Sequence, residues 1–294
     1  MRIRPFEYHT ADTLKGALEM IGDYSPEVSV LAGGTDLVLA MKHKERHPAH
    51  IVNLNKIKEL AFTETKNGSI RIGALTRLAD LGADAGLKEN LPVLCEAVNL
   101  IGSWQIRNVA TIGGNICTAS PAADSASPLL ALDARLVVAD AGNETEIPLS
   151  SFFSGPGETR LKPDQIVKEI IIDRPKARSN GCYLKFMRKR AVDLSLAGVA
   201  FQAEVDEAGN KLVRLGVGLG GVAPTPIRAP EAEAMLIGLS CREALDKIPE
   251  AARAAVAATS PIDDIRASAD YRRAIVEVFF QQAAEKVLKA LCTE

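Results

Sequence analysis

Leu31-Ala32-Gly33-Gly34-Thr35-Asp36 follows directly on the apolar run Val28-Ser29-Val30-Leu31, and a second glycine pair stands at Thr111-Ile112-Gly113-Gly114-Asn115. A strand, a diglycine and then a helical pattern from Asp36 to Met41 is the order that turns free N–H groups and the positive end of a helix towards an anion. Glycine lets the backbone approach a ligand closely, and Thr111, Asn115, Thr118 and Ser120 supply short hydrogen-bonding groups around the second corner. Two such corners suit two phosphates. Each one taken singly is equally a glycine bulge among polar turns.

Around the first corner the chain alternates. Thr10 is placed to cap a helix whose apolar positions Leu14, Ala17, Leu18 and Ile21 keep the three-four spacing to about Gly22. After the corner, His50-Ile51-Val52-Asn53-Leu54 is another apolar run, so residues 1–57 read as a small, mostly parallel α/β unit. The pattern then changes to antiparallel sheet. Residues 60–65 and 69–74 flank Asn67-Gly68, a strong hairpin signal, and 136–140 and 144–149 flank Ala141-Gly142-Asn143. Helical stretches are predicted at 77–82 and 91–101, and the β-branched run 166–173 closes a second unit, 58–176. Arg174-Pro175-Lys176-Ala177-Arg178-Ser179-Asn180-Gly181 reads as a linker.

The third unit, 177–294, has strands at 182–188, 197–205 and 211–219, then helices at 241–258 and 269–291, an α+β order. It carries Gly216-x-Gly218-x-x-Gly221, the letters of a dinucleotide fingerprint. That motif needs a helix straight after its glycines, and Val222-Ala223-Pro224-Thr225-Pro226 forbids one. A Rossmann site is rejected.

The chain has 294 residues and a net charge of −2, with nothing to suggest nucleic acid as a partner. No apolar run is long enough to span a bilayer, and the first residues lack a signal core, so a cytoplasmic protein is expected. Cysteines 95, 117, 182, 241 and 292 are too scattered for a disulfide framework or an iron–sulfur cluster. Of the four histidines, His9, His43, His47 and His50, the last three stand close enough together to raise a metal question, and His43 and His47 are four apart in a charged stretch ended by Pro48. Cations at a helix C-terminus account for them more simply than a metal does.

Taken together, Pro5-Phe6-Glu7-Tyr8, Ala32-Gly33-Gly34-Thr35-Asp36, Gln105-Ile106-Arg107-Asn108 before Thr111-Ile112-Gly113-Gly114-Asn115, and Gly220-Gly221-Val222-Ala223-Pro224-Thr225-Pro226 resemble the medium, FAD-binding subunit of the molybdenum hydroxylases. That family includes xanthine, carbon monoxide and nicotinate dehydrogenases. The resemblance implies an α+β fold: a two-subdomain FAD domain of the vanillyl-alcohol-oxidase (PCMH) type, then a C-terminal domain of three antiparallel strands and helices. It also implies a cofactor site. Leu31, Ala32, Gly33, Gly34, Thr35 and Asp36 would cradle the pyrophosphate. Thr111, Gly114, Asn115, Thr118 and Asp124 would hold the phosphate and ribityl side, with Ile101, Gly102, Ala123, Val167 and Lys185 completing the set. On the residues alone, Asp124 equally caps a helix over 125–132, Lys185 reads as a solvated strand lysine before it reads as a flavin neighbour, and Trp104 reads as packing before a flavin platform. Where carbon monoxide dehydrogenases carry an aromatic residue, this chain has Leu194, which implies a less shielded flavin.

The implied role is an electron relay. Substrate is hydroxylated at a molybdenum cofactor in a large partner, electrons pass through iron–sulfur clusters of a small partner, and FAD here hands them to an acceptor such as NAD. The extra cysteine-rich loop of 4-hydroxybenzoyl-CoA reductases has no counterpart. Two alternatives stay open: a scaffold without cofactor, and a stand-alone flavin oxidase, for which no catalytic base is evident.

Overall fold

The computed structural model describes residues 3–175, 178–189, 192–209 and 211–292, so the expected boundary at 176/177 lies outside the described residues. The first unit contains β1 (Glu7–Thr10), α1 (Leu14–Tyr24), β2 (Val28–Leu31), α2 (Leu37–His43) and β3 (His50–Asn53). Its three strands are parallel in the order β1-β3-β2. The apolar positions of α1 are buried as the spacing predicts, but its cap is Thr13, whose hydroxyl accepts from the Gly16 N–H. Thr10 is excluded from that role because it ends β1, paired with Asn53.

The second unit runs through β4 (Thr63–Lys66), β5 (Ser69–Gly73), α3 (Leu78–Ala83), α4 (Ala85–Asn90), α5 (Pro92–Asn99), α6 (Trp104–Arg107), α7 (Ile112–Cys117), α8 (Ala126–Ala131), β6 (Arg135–Ala139) and β7 (Glu144–Pro148). A two-stranded ribbon, β8 (Phe153–Gly155) and β9 (Glu158–Thr159), precedes β10 (Ile166–Asp173). The main sheet is antiparallel in the order β4-β5-β10-β6-β7. Asn67 and Gly68 both have positive φ, 52° and 78°, as a two-residue hairpin matched to strand twist requires. The ribbon β8–β9 escaped the sequence reading because strands of two and three residues leave no periodicity.

The C-terminal unit has β11 (Ser179–Phe186), β12 (Ala197–Val205), β13 (Leu212–Gly220), β14 (Ile227–Arg228), α9 (Pro230–Ala234), α10 (Cys241–Ala257) and α11 (Ala269–Cys292). The two-residue β14 adds a fourth antiparallel strand to the three expected. Every residue of β12 is buried, and the strand alternates between two cores. Val199, Phe201, Ala203 and Val205 face the cluster formed with α10 and α11, where Phe201 meets Phe280 edge to face. Ala200 points the other way, into the core of the second unit, which Tyr183 of β11 also enters. A strand covered on both faces reads as a continuous apolar run, as this one does.

The rejected fingerprint glycines have a structural task. A β-carbon at Gly216 would lie 1.8 Å from the Ala131 carbonyl oxygen, and one at Gly218 would lie 1.9 Å from that of Ser127. The backbone of α8 therefore rests directly on β13, which only glycine permits. We predict that Gly218→Ala lowers stability by about 2 kcal/mol, the scale of overpacking a tight contact. Gly142→Ala, in an open hairpin turn with no atom closer than 4.0 Å, is the control. Urea unfolding measures both, and an unchanged midpoint for Gly218→Ala would contradict the contact.

Candidate flavin site

β2 delivers the first diglycine corner, and a single close approach fixes its position. A β-carbon on Gly33 would sit 2.2 Å from the Val109 carbonyl oxygen, so the corner is pressed on the backbone just ahead of the second corner. Gly34 has φ +73°, a left-handed conformation that turns the chain into α2. Asn55 braces the turn from below: its amide donates to the Ala32 carbonyl at 2.9 Å and to Asn53 Oδ1 at 2.7 Å. The sequence reading missed Asn55, although Asn53-Leu54-Asn55 at the end of a strand is a signal for such a brace. Among the described residues, the backbone N–H groups of Gly33, Gly34, Thr35, Asp36 and Leu37 donate to no protein acceptor. Asp36 precedes α2 without capping it, and the Thr35 hydroxyl points to the Asp36 carboxylate at 3.4 Å.

The second corner differs from its expected form. Gly113 and Gly114 lie in the first turn of α7, and their amides are already engaged. Ile112 N–H donates to Thr76 O, Gly113 N–H to Ala74 O, and Gly114 N–H to the hydroxyl of the cap, Thr111, at 3.2 Å. A β-carbon at Gly113 would meet Ala74 at 2.6 Å, so this glycine is required by packing. Thr118 donates back to the Gly114 carbonyl at 2.9 Å, and Asn115 Oδ1 accepts from the Ser125 hydroxyl at 2.6 Å, leaving the Asn115 amide nitrogen without a partner among the described residues. The two corners nevertheless meet. A β-carbon on Gly114 would reach the Ala32 methyl at 4.0 Å.

Asp124 and Lys185 are joined, in a way that neither side chain announced alone. Lys185 Nζ lies 2.7 Å from Asp124 Oδ2 and also donates to the Leu100 carbonyl at 3.0 Å, while the Tyr183 hydroxyl donates to Asp124 Oδ1 at 2.7 Å. The cap position of α8 is Ser125, and among the described residues the Asp124 carboxylate accepts from Tyr183 and Lys185 rather than from the helix. Lys185 is not solvated, since its side chain is 1% exposed. Burial raises the Asp124 carboxyl above the usual range against the pull of Lys185 and Tyr183. Burial first, and then the Asp124 charge, push the Tyr183 phenol well up, which keeps it a donor. Tyr183 stands two residues before Lys185 on β11, on the same side of the strand, so period two contained the pair. Gly198 opposite makes room: a β-carbon there would lie 2.4 Å from the tyrosine oxygen.

Other expected residues divide between rim and core. Arg107 Nη1 donates to the carbonyls of Ile101, at 2.8 Å, and Gly102, at 3.3 Å, and closes the loop that precedes α6. Trp104 is not core packing: it is 64% exposed, with the Arg107 guanidinium 5.8 Å from its ring centroid. Val109 beside Gly33, Val38 beside Gly34 and Leu39 on α2 are also exposed apolar side chains. Val167 and Ala123 are buried in the core of the second unit. Leu194 is exposed.

The open amides, the glycine cradle and the exposed apolar side chains of Val38 and Val109 beside it fit a large anionic cofactor with a flat ring system. The chain belongs to the family described as the FAD binding domain in molybdopterin dehydrogenase, matched over residues 4–175, and residues 182–287 match the CO dehydrogenase flavoprotein C-terminal domain. It is similar to a xanthine dehydrogenase FAD-binding subunit of Escherichia coli O157:H7, 33% identical over 96% of each chain. A nicotinate dehydrogenase FAD-subunit of Eubacterium barkeri is 33% identical over 80% of this chain and 81% of that one. In three dimensions it matches a chain of carbon monoxide dehydrogenase from Hydrogenophaga pseudoflava with a TM-score of 0.92, at 32% identity and 99% coverage of both. It is thus an FAD-binding subunit of the molybdenum hydroxylases. No helix among the described residues is long and apolar enough to cross a membrane.

Removing the ammonium that faces a buried carboxylate is costly. Lys185→Met is expected to destabilise the chain by about 3 kcal/mol, and Asp124→Asn/Lys185→Met by clearly less, because the double variant leaves no buried charge behind. Equal losses in urea unfolding would show that the ion pair is not what joins β11 to the segment before α8.

Proposed function

We propose that this chain relays electrons within a multi-subunit molybdenum hydroxylase, taking them from iron–sulfur clusters of a small partner and passing them from FAD to a soluble acceptor such as NAD. A large partner would hold the molybdenum cofactor and oxidise the substrate. The observation that carries this reading is the convergence of the two glycine corners, with five unengaged amides on one side of the meeting point. Those amides, from Gly33 to Leu37, suit the pyrophosphate, because oriented N–H groups at a helix start favour anions. The free amide nitrogen of Asn115 suits a ribityl or phosphate oxygen, and Ile101, Gly102 and Trp104 would border the same cofactor. Bound FAD supplies the chemistry, since a flavin accepts electrons singly and gives up a pair as hydride.

This chain's own residues then position and insulate. Lys185 lies among carbonyl and carboxylate oxygens beside the loop that begins at Leu100, holding that loop in place. The exposed apolar side chains at the mouth are the ones that a ring system or a docked partner would cover. Support for a complex also comes from a relative in Paenarthrobacter nicotinovorans, 31% identical over 98% of this chain, which is the alpha subunit of a 6-hydroxypseudooxynicotine dehydrogenase complex.

Gly114→Val is expected to abolish FAD retention, because a branched side chain would fill the gap towards Ala32 while the hydroxyl of Thr111 stands 2.9 Å from its β-carbon. Absorbance near 450 nm per protein reads the outcome, and circular dichroism checks the fold. Full flavin content in a folded variant would remove the corner from the site. For the acceptor, anaerobic NADH should bleach the wild-type flavin. Bleaching by dithionite alone would exclude NAD.

A further inference from the structure

We propose that Glu7, His9 and His50 form a binding site for a zinc-like divalent cation on the first parallel sheet, independent of the flavin reading. Glu7 and His50 are register partners across β1 and β3, and His9, two residues after Glu7, projects from the same face. His9 Nε2 and His50 Nδ1 are 3.2 Å apart. Glu7 Oε2 lies 3.8 Å from the first nitrogen and 3.5 Å from the second. Ligands about 2.05 Å from a tetrahedral ion stand about 3.3 Å from one another, so this triangle matches one face of a zinc site to within half an ångström.

The rings are held for that purpose. Tyr24, at the end of α1, stacks on both imidazoles, with centroids 4.4 Å from His9 and 4.2 Å from His50 and interplanar angles of 19° and 12°. One aromatic plate thus fixes the planes of two rings whose nitrogens converge. The backbone is fixed as well, because Glu7 N–H donates to Ala49 O and His50 N–H to Glu27 O. Glu7 is exposed, which leaves an open side for a fourth ligand from water. Two imidazoles and one carboxylate select a borderline ion such as zinc over calcium or magnesium, which prefer all-oxygen shells.

The location defines the task. His50 also pairs with Val28, the first residue of β2, whereas the glycine corner follows the last, so the ion would pin the starting end of the sheet and leave the cofactor end free. Its contribution is structural: a clamp between β1 and β3 in a sheet of only three short strands. His43 and His47, which the sequence grouped with His50, take no part.

The test uses the tag-free full-length chain after chelator treatment, titrated with Zn2+ in competition with a chromophoric chelator, and separately with Co2+. One equivalent of Zn2+ should bind and raise the thermal midpoint. Losing a direct ligand should cost at least the tenfold typical of lost outer partners, so Glu7→Gln and His50→Ala should each weaken binding by about tenfold or more. Glu7→Gln alters an exposed side chain and keeps the test alive where the histidine variant does not fold. Bound Co2+ should show weak visible bands without a thiolate charge-transfer band near 350 nm. Affinity unchanged in both variants, no uptake by the wild type, or a thiolate band that puts the ion on cysteine would each overturn the site.

Discussion

The seating of α8 on β13 is the contact on which the arrangement of the molecule depends. Helix carbonyls approach a strand this closely only where the strand has no side chains, and Gly216 and Gly218 provide that bare surface. Asp124 stands just ahead of α8 and meets Lys185 and Tyr183 of β11, which links the C-terminal sheet to the loop starting at Leu100. Arg214 adds a further tie, donating to the Leu132 carbonyl at 2.8 Å, just past the end of α8. The loop starting at Leu100 and the segment before α8 are thus held from the side of the C-terminal sheet.

The two glycine corners resemble each other in sequence and differ in physics. The first has amides with no protein acceptor and is shaped by a left-handed residue. The second has spent its amides on Thr76, Ala74 and Thr111, and its glycines serve closeness: one to Ala74, the other towards Ala32. A helix start whose N–H groups are all satisfied offers little to an anion, whereas the first corner keeps its amides open.

Much of this was legible in the residues. Strands 166–173 and 197–205 and the Asn67-Gly68 hairpin stood out because periodicity and turn chemistry are local. So did the failure of Gly216-x-Gly218-x-x-Gly221 as a nucleotide motif, though the reason for its glycines required α8. The cap at Thr13 was missed by three residues because Thr10 is an equally good cap until it is known to be paired. Asp124 and Lys185, 61 positions apart, were each given a role next to a ligand, and the sequence held no sign that they belong to each other. The sequence set His50 beside His43 and His47 rather than His9 for the same reason: parallel pairing brought together residues that the chain separates by a helix, a strand and a second helix.

Because Tyr183 and Ala200 complete the core around α5 and α8, the first 175 residues leave the ribosome with one wall of that core missing. Until β11 and β12 follow, the apolar faces of those helices stay open to water and to other nascent chains. Synthesis in this order makes the half-made protein a natural client for a holding chaperone, and slow translation beyond the linker would lengthen the period of risk.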